Sequence, residues 1–233
     1  MSTSIHPRQA ALPLTLTAAA IAALLGLADS AREHDGVSAR LDPQLATDAV
    51  HLRTGLLTRA AHLLTFLGSE IVVGGLALVF LVVLLQRRGR FLAGCFAMAM
   101  AVSVGLTVGV KLLVERPPPG SAYRLGSLDT TYSFPSGHSL NSAVLLGLVV
   151  LLVVPLIRSR ARRILAIAGA TLLGIGIGVS RVYLGYHWAS DVLASWLIAA
   201  ALLTLVSLAV RVRLTGSTPR SGSSQVLAGA ETS

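Results

Sequence analysis

Six long apolar segments occupy most of the chain, and each has about the 20 residues that an α-helix needs to cross a bilayer. The segments are Ala10 to Ala28, Ala61 to Gln86, Phe91 to Leu113, Ser139 to Ile157, Ile164 to Ser180 and Ser190 to Val210. Charged residues supply only 12% of the chain, about half of their usual share in soluble domains. We therefore predict an all-α, polytopic membrane helix bundle with six transmembrane helices, formed by residues 10–213.

Arginines set the predicted orientation, because short basic loops stay on the cytoplasmic side of a membrane. Three arginine clusters follow the second, fourth and sixth segments, so all three fall on one side of a six-span bundle. They contain Arg87, Arg88 and Arg90, then Arg158, Arg160, Arg162 and Arg163, then Arg211 and Arg213. Both termini are therefore predicted to be cytoplasmic, with residues 1–9 before the first span and residues 214–233 after the last.

The segments outside the predicted spans carry separate expectations. The connector from Asp29 to Arg59 mixes acidic and basic residues with a few leucines, which predicts a short amphipathic helix on the membrane surface. The tail, residues 214–233, is rich in small polar residues and is predicted to be disordered. The sequence Gly26-Leu27-Ala28 resembles a signal-peptide cleavage site, but the weakly basic start of the chain favours a retained helix.

Charge and cysteine content argue against two other classes of function. The net charge of +9 comes mainly from clusters that flank membrane segments, not from a basic groove with interleaved aromatic residues, so nucleic-acid binding is not expected. Cys95 is the only cysteine and lies inside the third segment, which excludes an internal disulfide and a cysteine-based metal site.

Ionisable residues collect at the predicted outer ends of the helices. Lys111 ends the third segment, His138 precedes the fourth, Arg181 follows the fifth, and His187 and Asp191 open the sixth. An ionisable group placed within a span costs several kcal/mol unless it has a partner. Four helix ends thus bring two histidines, a carboxylate and basic groups to one outer surface, which predicts a functional site there.

The stretch from Phe134 to His138 has the features of an anion site. A proline and a glycine come just before a helix, where free backbone N–H groups and the positive end of the helix dipole attract anions. Ser136 adds a hydroxyl donor, and His138 adds a group that titrates near neutral pH. A phosphate would fit at this point.

His187 and Asp191 are four residues apart, so a helix would place them on one face. The carboxylate can then hold one ring nitrogen and leave the other free to attack an electrophile. Lys111 carries a further signal, because it is the only lysine in a chain whose other 18 basic residues are arginine.

These residues resemble the three-part signature of the type 2 phosphatidic acid phosphatases, whose fold is related to that of the vanadium haloperoxidases. The signature is a lysine followed by Arg-Pro, then Pro-Ser-Gly-His, then Ser-Arg with a histidine and an aspartate at fixed spacing. The second part matches fully at Pro135, Ser136, Gly137 and His138, and the third at Ser180, Arg181, His187 and Asp191. The resemblance covers roughly residues 60–210.

The first part of the signature departs from the family pattern. That pattern separates the lysine from the arginine by six residues, which would place the arginine at position 118. This chain has Pro118 there, while Arg116, followed by Pro117, comes two residues earlier. A flexible guanidinium at Arg116 could reach the same phosphate, or the loop could shift its register.

The resemblance implies a role for each matched residue. His187 would be the nucleophile that forms a phosphohistidine, Asp191 would orient it, and His138 would protonate the leaving alkoxide and then activate water. Lys111, Arg116, Ser136, Gly137 and Arg181 would hold the phosphoryl oxygens. No cofactor or metal is expected, because phosphoryl transfer chiefly needs positioning and charge neutralisation and the sequence supplies no carboxylate-rich magnesium site.

By the same resemblance, the expected function is hydrolysis of a lipid phosphate or pyrophosphate at the outer leaflet of the cell membrane. Polyprenyl pyrophosphate, phosphatidic acid and phosphatidylglycerol phosphate are the leading substrates, and the sequence does not choose among them. The expected partners are the substrate and membrane lipids, with the oligomeric state left open. One alternative is a lipid phosphotransferase, and another is a non-catalytic phospholipid-binding membrane protein whose site has decayed at Pro118.

Overall fold

A computed structural model describes residues 7–33, 36–126 and 131–216, and the regular structure in these ranges is helical, with no β-strand. The longer helices are α1 (Pro7–Glu33), α2 (Gly36–His51), α3 (Gly55–Leu67), α4 (Glu70–Arg87), α5 (Arg90–Val114), α6 (Gly137–Val153), α7 (Arg160–Tyr183) and α8 (Ala189–Gly216). Short 3₁₀ turns occur at Ser121–Tyr123 and Val154–Leu156. The predicted all-α class is confirmed.

Helices α4 to α8 supply five candidate membrane spans within the described ranges, by length and hydropathy. They correspond to the second to sixth predicted segments, and most ends move by a few residues, but the second span begins at Glu70 and not at Ala61. The first predicted segment lies within α1, which is not one of these five, so the count of six spans and the cytoplasmic termini stay predictions. Helix α8 runs three residues into the predicted tail, and residues 217–233 lie outside the described residues.

The second predicted segment, Ala61 to Gln86, is wrong as a single helix. The chain turns at Gly68 and Ser69, where the Ser69 hydroxyl accepts the Val72 N–H and starts α4. A Cβ at position 68 would lie 2.4 Å from Ile177 of α7, so glycine permits a close approach there. Glu70 thereby occupies the first turn of α4, where the helix dipole favours an acid.

The connector contains the predicted helix, which is α2. One face of α2, carrying Ser38, Asp42 and Ala46, is buried, and the helix packs against α1, α7 and α8. Leu41 and Leu45 on the remaining surface are exposed. The position of α2 at the membrane surface stays a prediction.

The core of the bundle surrounds α6. Leu140, Val144 and Leu148 on this helix are fully buried and pack with Phe96 of α5 and Ile198 of α8. Because α6 contacts α4, α5, α7 and α8, its first turn is held in a fixed position relative to the ends of its neighbours.

The loop after α5 crosses one end of this bundle. The Ser133 N–H donates to the Arg116 carbonyl at 2.8 Å, and the Leu125 N–H donates to the Leu184 carbonyl at 2.9 Å. Two hydrogen bonds thus tie this loop to itself and to the turn between α7 and α8. The ends of α5, α6, α7 and α8 meet beneath it.

Candidate active site

His187 lies in the turn between α7 and α8, with its side chain buried. The turn depends on Gly185, which has φ +73°, and on the closeness of the chain there to the Tyr123 carbonyl. The Nδ1 atom of His187 is 2.8 Å from the Ser133 carbonyl oxygen and 3.5 Å from Oδ2 of Asp191. A carbonyl only accepts, so Nδ1 carries the hydrogen and the neutral ring keeps a lone pair at Nε2.

Asp191 is fully buried in the first turn of α8. Its Oδ2 accepts the Trp188 N–H at 2.9 Å, and its Oδ1 accepts from Nη1 of Arg116 at 2.6 Å. The two oxygens therefore face different partners: Oδ2 faces the His187 ring, and Oδ1 faces a guanidinium.

Arg116 joins two buried carboxylates. Its Nη1 donates to Asp191 and also to the Ser190 hydroxyl at 2.7 Å, and its Nη2 donates to Asp42 at 2.7 Å. The guanidinium also lies 5.5 Å from the centre of the Trp188 ring. These contacts give Arg116 an observed role in neutralising acids, while its contact with phosphate stays a prediction.

The Ser136 to His138 segment begins α6, as expected. The Ser136 hydroxyl accepts from the Ser139 N–H and from the Ser139 hydroxyl, so it caps the helix. The Ser136 N–H donates to the Asp191 carbonyl at 3.4 Å, and the Ser136 carbonyl accepts from Ser195 at 3.0 Å. These bonds place the start of α6 against the start of α8. His138 follows, half-buried in the first turn of α6.

Gly137 is the first residue of α6 and packs closely against α5. A Cβ there would lie 3.1 Å from the methyl group of Thr107, which is closer than an ordinary contact. A larger residue would require the Thr107 side chain or the helix start to move by a few tenths of an ångström. The glycine therefore keeps the backbone N–H groups of the first turn close to the other helix ends.

Two predicted cationic residues lie near His187. Arg181 is buried at the end of α7, donates to the Thr65 hydroxyl at 2.9 Å, and stacks 4.3 Å from the centre of the Tyr186 ring. Lys111 lies in the last turn of α5 and donates to the Thr131 hydroxyl at 3.0 Å. Both are close enough to act on the charge of the His187 ring.

Burial lowers the pKa of His187 below its ordinary value of 6.5, because the protonated ring would lose its hydration. The positive charges of Arg181 and Lys111 lower this pKa further, and the hydrogen-bonding and charge of Asp191 oppose them. The geometry points to the charge as the main part of that opposition, since the Nδ1–Oδ2 distance of 3.5 Å is long for a hydrogen bond. His187 is therefore neutral at pH 7, with its Nε2 lone pair available for attack.

The predicted residues are brought to one end of the bundle, and other residues join them that the sequence did not reveal. Asp42 accepts from Arg116, from the Ser190 N–H and from the Ser190 hydroxyl, and the Ser133 carbonyl fixes the His187 ring. Asp42 looked like one of several acids in a mixed-charge connector. A carbonyl acceptor is available at every residue, so no sequence signal could have singled out Ser133.

No group of three or more His, Cys, Asp or Glu side chains with metal-binding geometry occurs within residues 7–33, 36–126 and 131–216. The acids of the site are instead engaged by Arg116 and by backbone N–H groups. A reaction without a metal stays a prediction. The arrangement offers one unprotonated imidazole nitrogen, a second histidine and several positive groups, which suits attack on an anionic phosphorus centre.

Comparison with known families shows where these residues belong. The sequence model of the PAP2 superfamily matches residues 92–214, which is more than half of the chain. The match includes nearly all of α5 to α8 and all of the predicted site residues.

Two curated relatives match parts of the chain. Phosphatidylglycerophosphatase B of Bacillus subtilis is 35% identical over 81 residues, covering 34% of this chain and 39% of the relative. Undecaprenyl-diphosphatase of Sulfolobus acidocaldarius is 31% identical over 137 residues, covering 57% of this chain and 61% of the relative. The matches thus span between about two fifths and three fifths of the length of these relatives.

Two crystal structures share the fold. The first transmembrane PAP2-type phosphatidylglycerolphosphate phosphatase from Bacillus subtilis superimposes with a TM-score of 0.72 at 24% identity, covering 85% of this chain and 96% of that one. Aquifex aeolicus LpxE superimposes with a TM-score of 0.54 at 20% identity, covering 72% and 95%. The first of these superpositions extends well beyond the matched family segment and so includes part of the region before α5.

Proposed function

Because the chain belongs to the PAP2 superfamily, we propose that it is an integral membrane phosphatase that hydrolyses a lipid phosphate or diphosphate. The observation that carries the proposal is the buried His187 ring, which has its hydrogen on Nδ1 and the Asp191 carboxylate beside it. Arg181 and Lys111 bring positive charge to the same place. A neutral nucleophile surrounded by cations suits a reaction centre that is itself an anion.

In the proposed first step, Nε2 of His187 attacks phosphorus, and the bond from phosphorus to the leaving oxygen breaks. His138 donates a proton to that oxygen, so the lipid leaves as an alcohol or as a lipid monophosphate. The imidazole becomes positively charged as the P–N bond forms. The Asp191 carboxylate stabilises this charge, and the Ser133 carbonyl keeps the ring in place.

In the proposed second step, water attacks the phosphohistidine. His138, now neutral, takes a proton from the water, the P–N bond breaks, and its electron pair returns to Nε2 of His187. Inorganic phosphate leaves, and the proton on His138 restores the starting state. Lys111, Arg181, Ser136 and the Gly137 N–H hold the phosphoryl oxygens in both steps, and Arg116 acts through Asp191, to which it is bonded at 2.6 Å.

The names of the relatives support a lipid as the substrate. One is called a phosphatidylglycerophosphatase and the other an undecaprenyl-diphosphatase, so a phospholipid monophosphate and a polyprenyl diphosphate are both proposed. Phosphatidic acid has the same phosphomonoester chemistry. An apolar cavity of about 210 Å³ between α1, α5 and α8 reaches Val110, the residue before Lys111, and this supports a substrate with an apolar tail.

We further propose that the site faces the extracytoplasmic side of the cell membrane. At the end of the bundle away from His187, the junctions between α4 and α5 and between α6 and α7, including the adjoining helix ends, carry Arg87, Arg88, Arg158 and Arg160. Short basic loops of this kind stay in the cytoplasm. The end of the bundle that carries His187 would then lie at the outer leaflet.

The proposal is tested by measuring phosphate release from the full chain, purified in detergent, against a panel of lipid phosphates and diphosphates. We expect release by the wild type on at least one of these lipids, and loss of release in His187→Ala. Equal release by both proteins would remove the enzymatic proposal. Analysis of the lipid products separates hydrolysis from transfer, because a transferase makes a new phosphodiester and little free phosphate.

A further inference from the structure

Asp42 lies outside the segment that the family model matches, yet its side chain is 97% buried at the candidate active site. It belongs to α2, on the face that packs against α7 and α8. An unpaired carboxylate at such a position would lose its hydration and destabilise the fold. Each oxygen of Asp42 instead accepts at least one hydrogen bond from the site.

The bonds of Asp42 join two segments that are far apart in sequence. Oδ1 accepts the Ser190 N–H at 2.9 Å, and Oδ2 accepts from Nη2 of Arg116 at 2.7 Å and from the Ser190 hydroxyl at 2.5 Å. Asp42 thereby caps the first turn of α8 and holds the loop after α5. Asp191 lies in that same first turn, one residue after Ser190.

The charges of Asp42, Arg116 and Asp191 do not cancel. Arg116 is 7% exposed and forms ion pairs with Asp42 and Asp191, which are 3% and 0% exposed. One positive charge is thus shared by two negative ones. If Asp42 were neutral, Arg116 would form an ion pair with Asp191 alone and would cancel more of the Asp191 charge. The negative potential beside His187 would then be weaker.

We propose that Asp42 is a positioning residue for phosphoryl transfer: by sharing Arg116, it leaves Asp191 with the negative charge that the His187 ring needs when it attacks phosphorus. This inference rests on the proposed function. The hydrogen bonds and ion pairs of Asp42 within the described residues go to Arg116 and Ser190 and not to His187, so it acts through Arg116 and Asp191.

The effect on His187 has a definite sign. The ring faces Asp191 from α8, Arg181 from α7 and Lys111 from α5, and Asp42 acts on it through Arg116. The Asp191 charge stabilises the protonated ring of His187. Loss of the Asp42 charge weakens this stabilisation, because Arg116 then cancels more of the Asp191 charge. The pKa of His187 therefore falls further, and the ring also becomes a poorer nucleophile.

The first experiment compares the wild type with Asp42→Asn, using the lipid that gives the highest rate of phosphate release. We expect kcat to fall about tenfold with little change in KM, and the acid limb of kcat/KM to move to lower pH by about half a unit. Asp48→Asn, on an exposed position of the same helix, is the matched control and should keep both the rate and the pH profile.

A purely structural role for Asp42 predicts a different result. Loss of the helix cap alone would reduce the amount of folded protein and its melting temperature, while the remaining folded enzyme would keep the wild-type acid limb. Asp42→Ser is a second uncharged variant, which keeps a hydroxyl that can accept the Ser190 N–H. It should show the same displaced acid limb, whereas Asp42→Glu, which keeps the charge, should not.

An acid limb at the wild-type pH in either uncharged variant would overturn the proposal. So would wild-type kcat in Asp42→Asn. These results differ from failure of the proposed function, in which the wild type and His187→Ala would release phosphate equally. An active wild type with an unaffected Asp42→Asn would remove only the role of Asp42.

Discussion

Ser133 holds the ring of His187 through its main-chain carbonyl, with 2.8 Å between that oxygen and Nδ1. Asp191 is farther from the same nitrogen, at 3.5 Å. The carbonyl is therefore sufficient to fix the tautomer, and the carboxylate contributes mainly its charge. In the proposed mechanism, orientation and charge stabilisation, which one aspartate supplies in many nucleophilic sites, are divided between two residues.

This division makes a prediction for Asp191→Asn. The amide is nearly the same size but has no charge, so the imidazolium of the proposed attack loses its stabilisation and Arg116 loses one ion pair. We expect kcat to fall by about 100-fold or more. Steady-state phosphate release, with Asp48→Asn as the control for a change at an exposed acid, measures this. A rate within about twofold of the wild type would show that the Asp191 charge is not needed.

The pH dependence of the reaction follows from the lowered pKa of His187. The proposed attack requires the unprotonated ring, and a pKa below 6.5 keeps the ring unprotonated to lower pH than a free histidine. The acid limb of kcat/KM should therefore have its midpoint below pH 6.5. A profile of kcat/KM between about pH 4 and pH 9 checks this. A midpoint clearly above 6.5 would mean that a neighbouring acid outweighs burial.

Lys111→Ala should slow the reaction by about 100-fold, because it removes one of the positive groups that are proposed to hold the phosphoryl oxygens. Arg88→Ala provides the control, since it also removes one positive charge but lies exposed near the opposite end of α5. The two variants are compared by initial rates on the same lipid at the same ionic strength. An unchanged rate for Lys111→Ala would make this residue an anchor at the end of the helix.

Gly185→Ala should unfold the turn that carries His187. Position 185 has φ +73°, and an added Cβ would lie 1.9 Å from the Tyr123 carbonyl oxygen, so the backbone would have to move. We expect a loss of at least about 2 kcal/mol of stability together with loss of activity. Thermal unfolding in detergent measures the first effect. Gly169→Ala, where an added Cβ meets no atom within 4 Å, should leave both properties intact.

Chelation tests the prediction of a reaction without a metal. Activity should survive an excess of EDTA, because in the proposed mechanism Lys111 and Arg181 supply the positive charge that a divalent ion would otherwise provide. Phosphate release is measured before and after dialysis against the chelator. Complete loss of activity that magnesium restores would contradict the mechanism.

The sequence predicted those parts of the molecule that follow from local pattern. Apolar runs located α5 to α8 to within a few residues, because lipid imposes both the length and the composition of a span. The apolar pattern did not reveal the break at Gly68, because the run from Ala61 to Gln86 is apolar on both sides of the turn. Only the packing of that corner against Ile177 explains the glycine.

The same limit applies to the candidate site. The spacing of His187 and Asp191, and the sequence before α6, are local features that indicate phosphate chemistry. Asp42 is 74 residues from Arg116, and the association between them arises only when α2 folds against α8. Long-range pairing between an acid and an arginine leaves no periodic signal in a single sequence.

The segment between α1 and α4 has a consequence for protein engineering. The Thr65 hydroxyl of α3 accepts a hydrogen bond from Arg181. Arg53, just before α3, donates a hydrogen bond to the Tyr183 carbonyl at 3.0 Å. With Asp42, which accepts from Arg116, these residues bind the site from a segment that lies wholly outside residues 92–214. A transplant of residues 92–214 alone into another protein would therefore carry both histidines. It would leave out Asp42 and Thr65, which accept hydrogen bonds from Arg116 and Arg181.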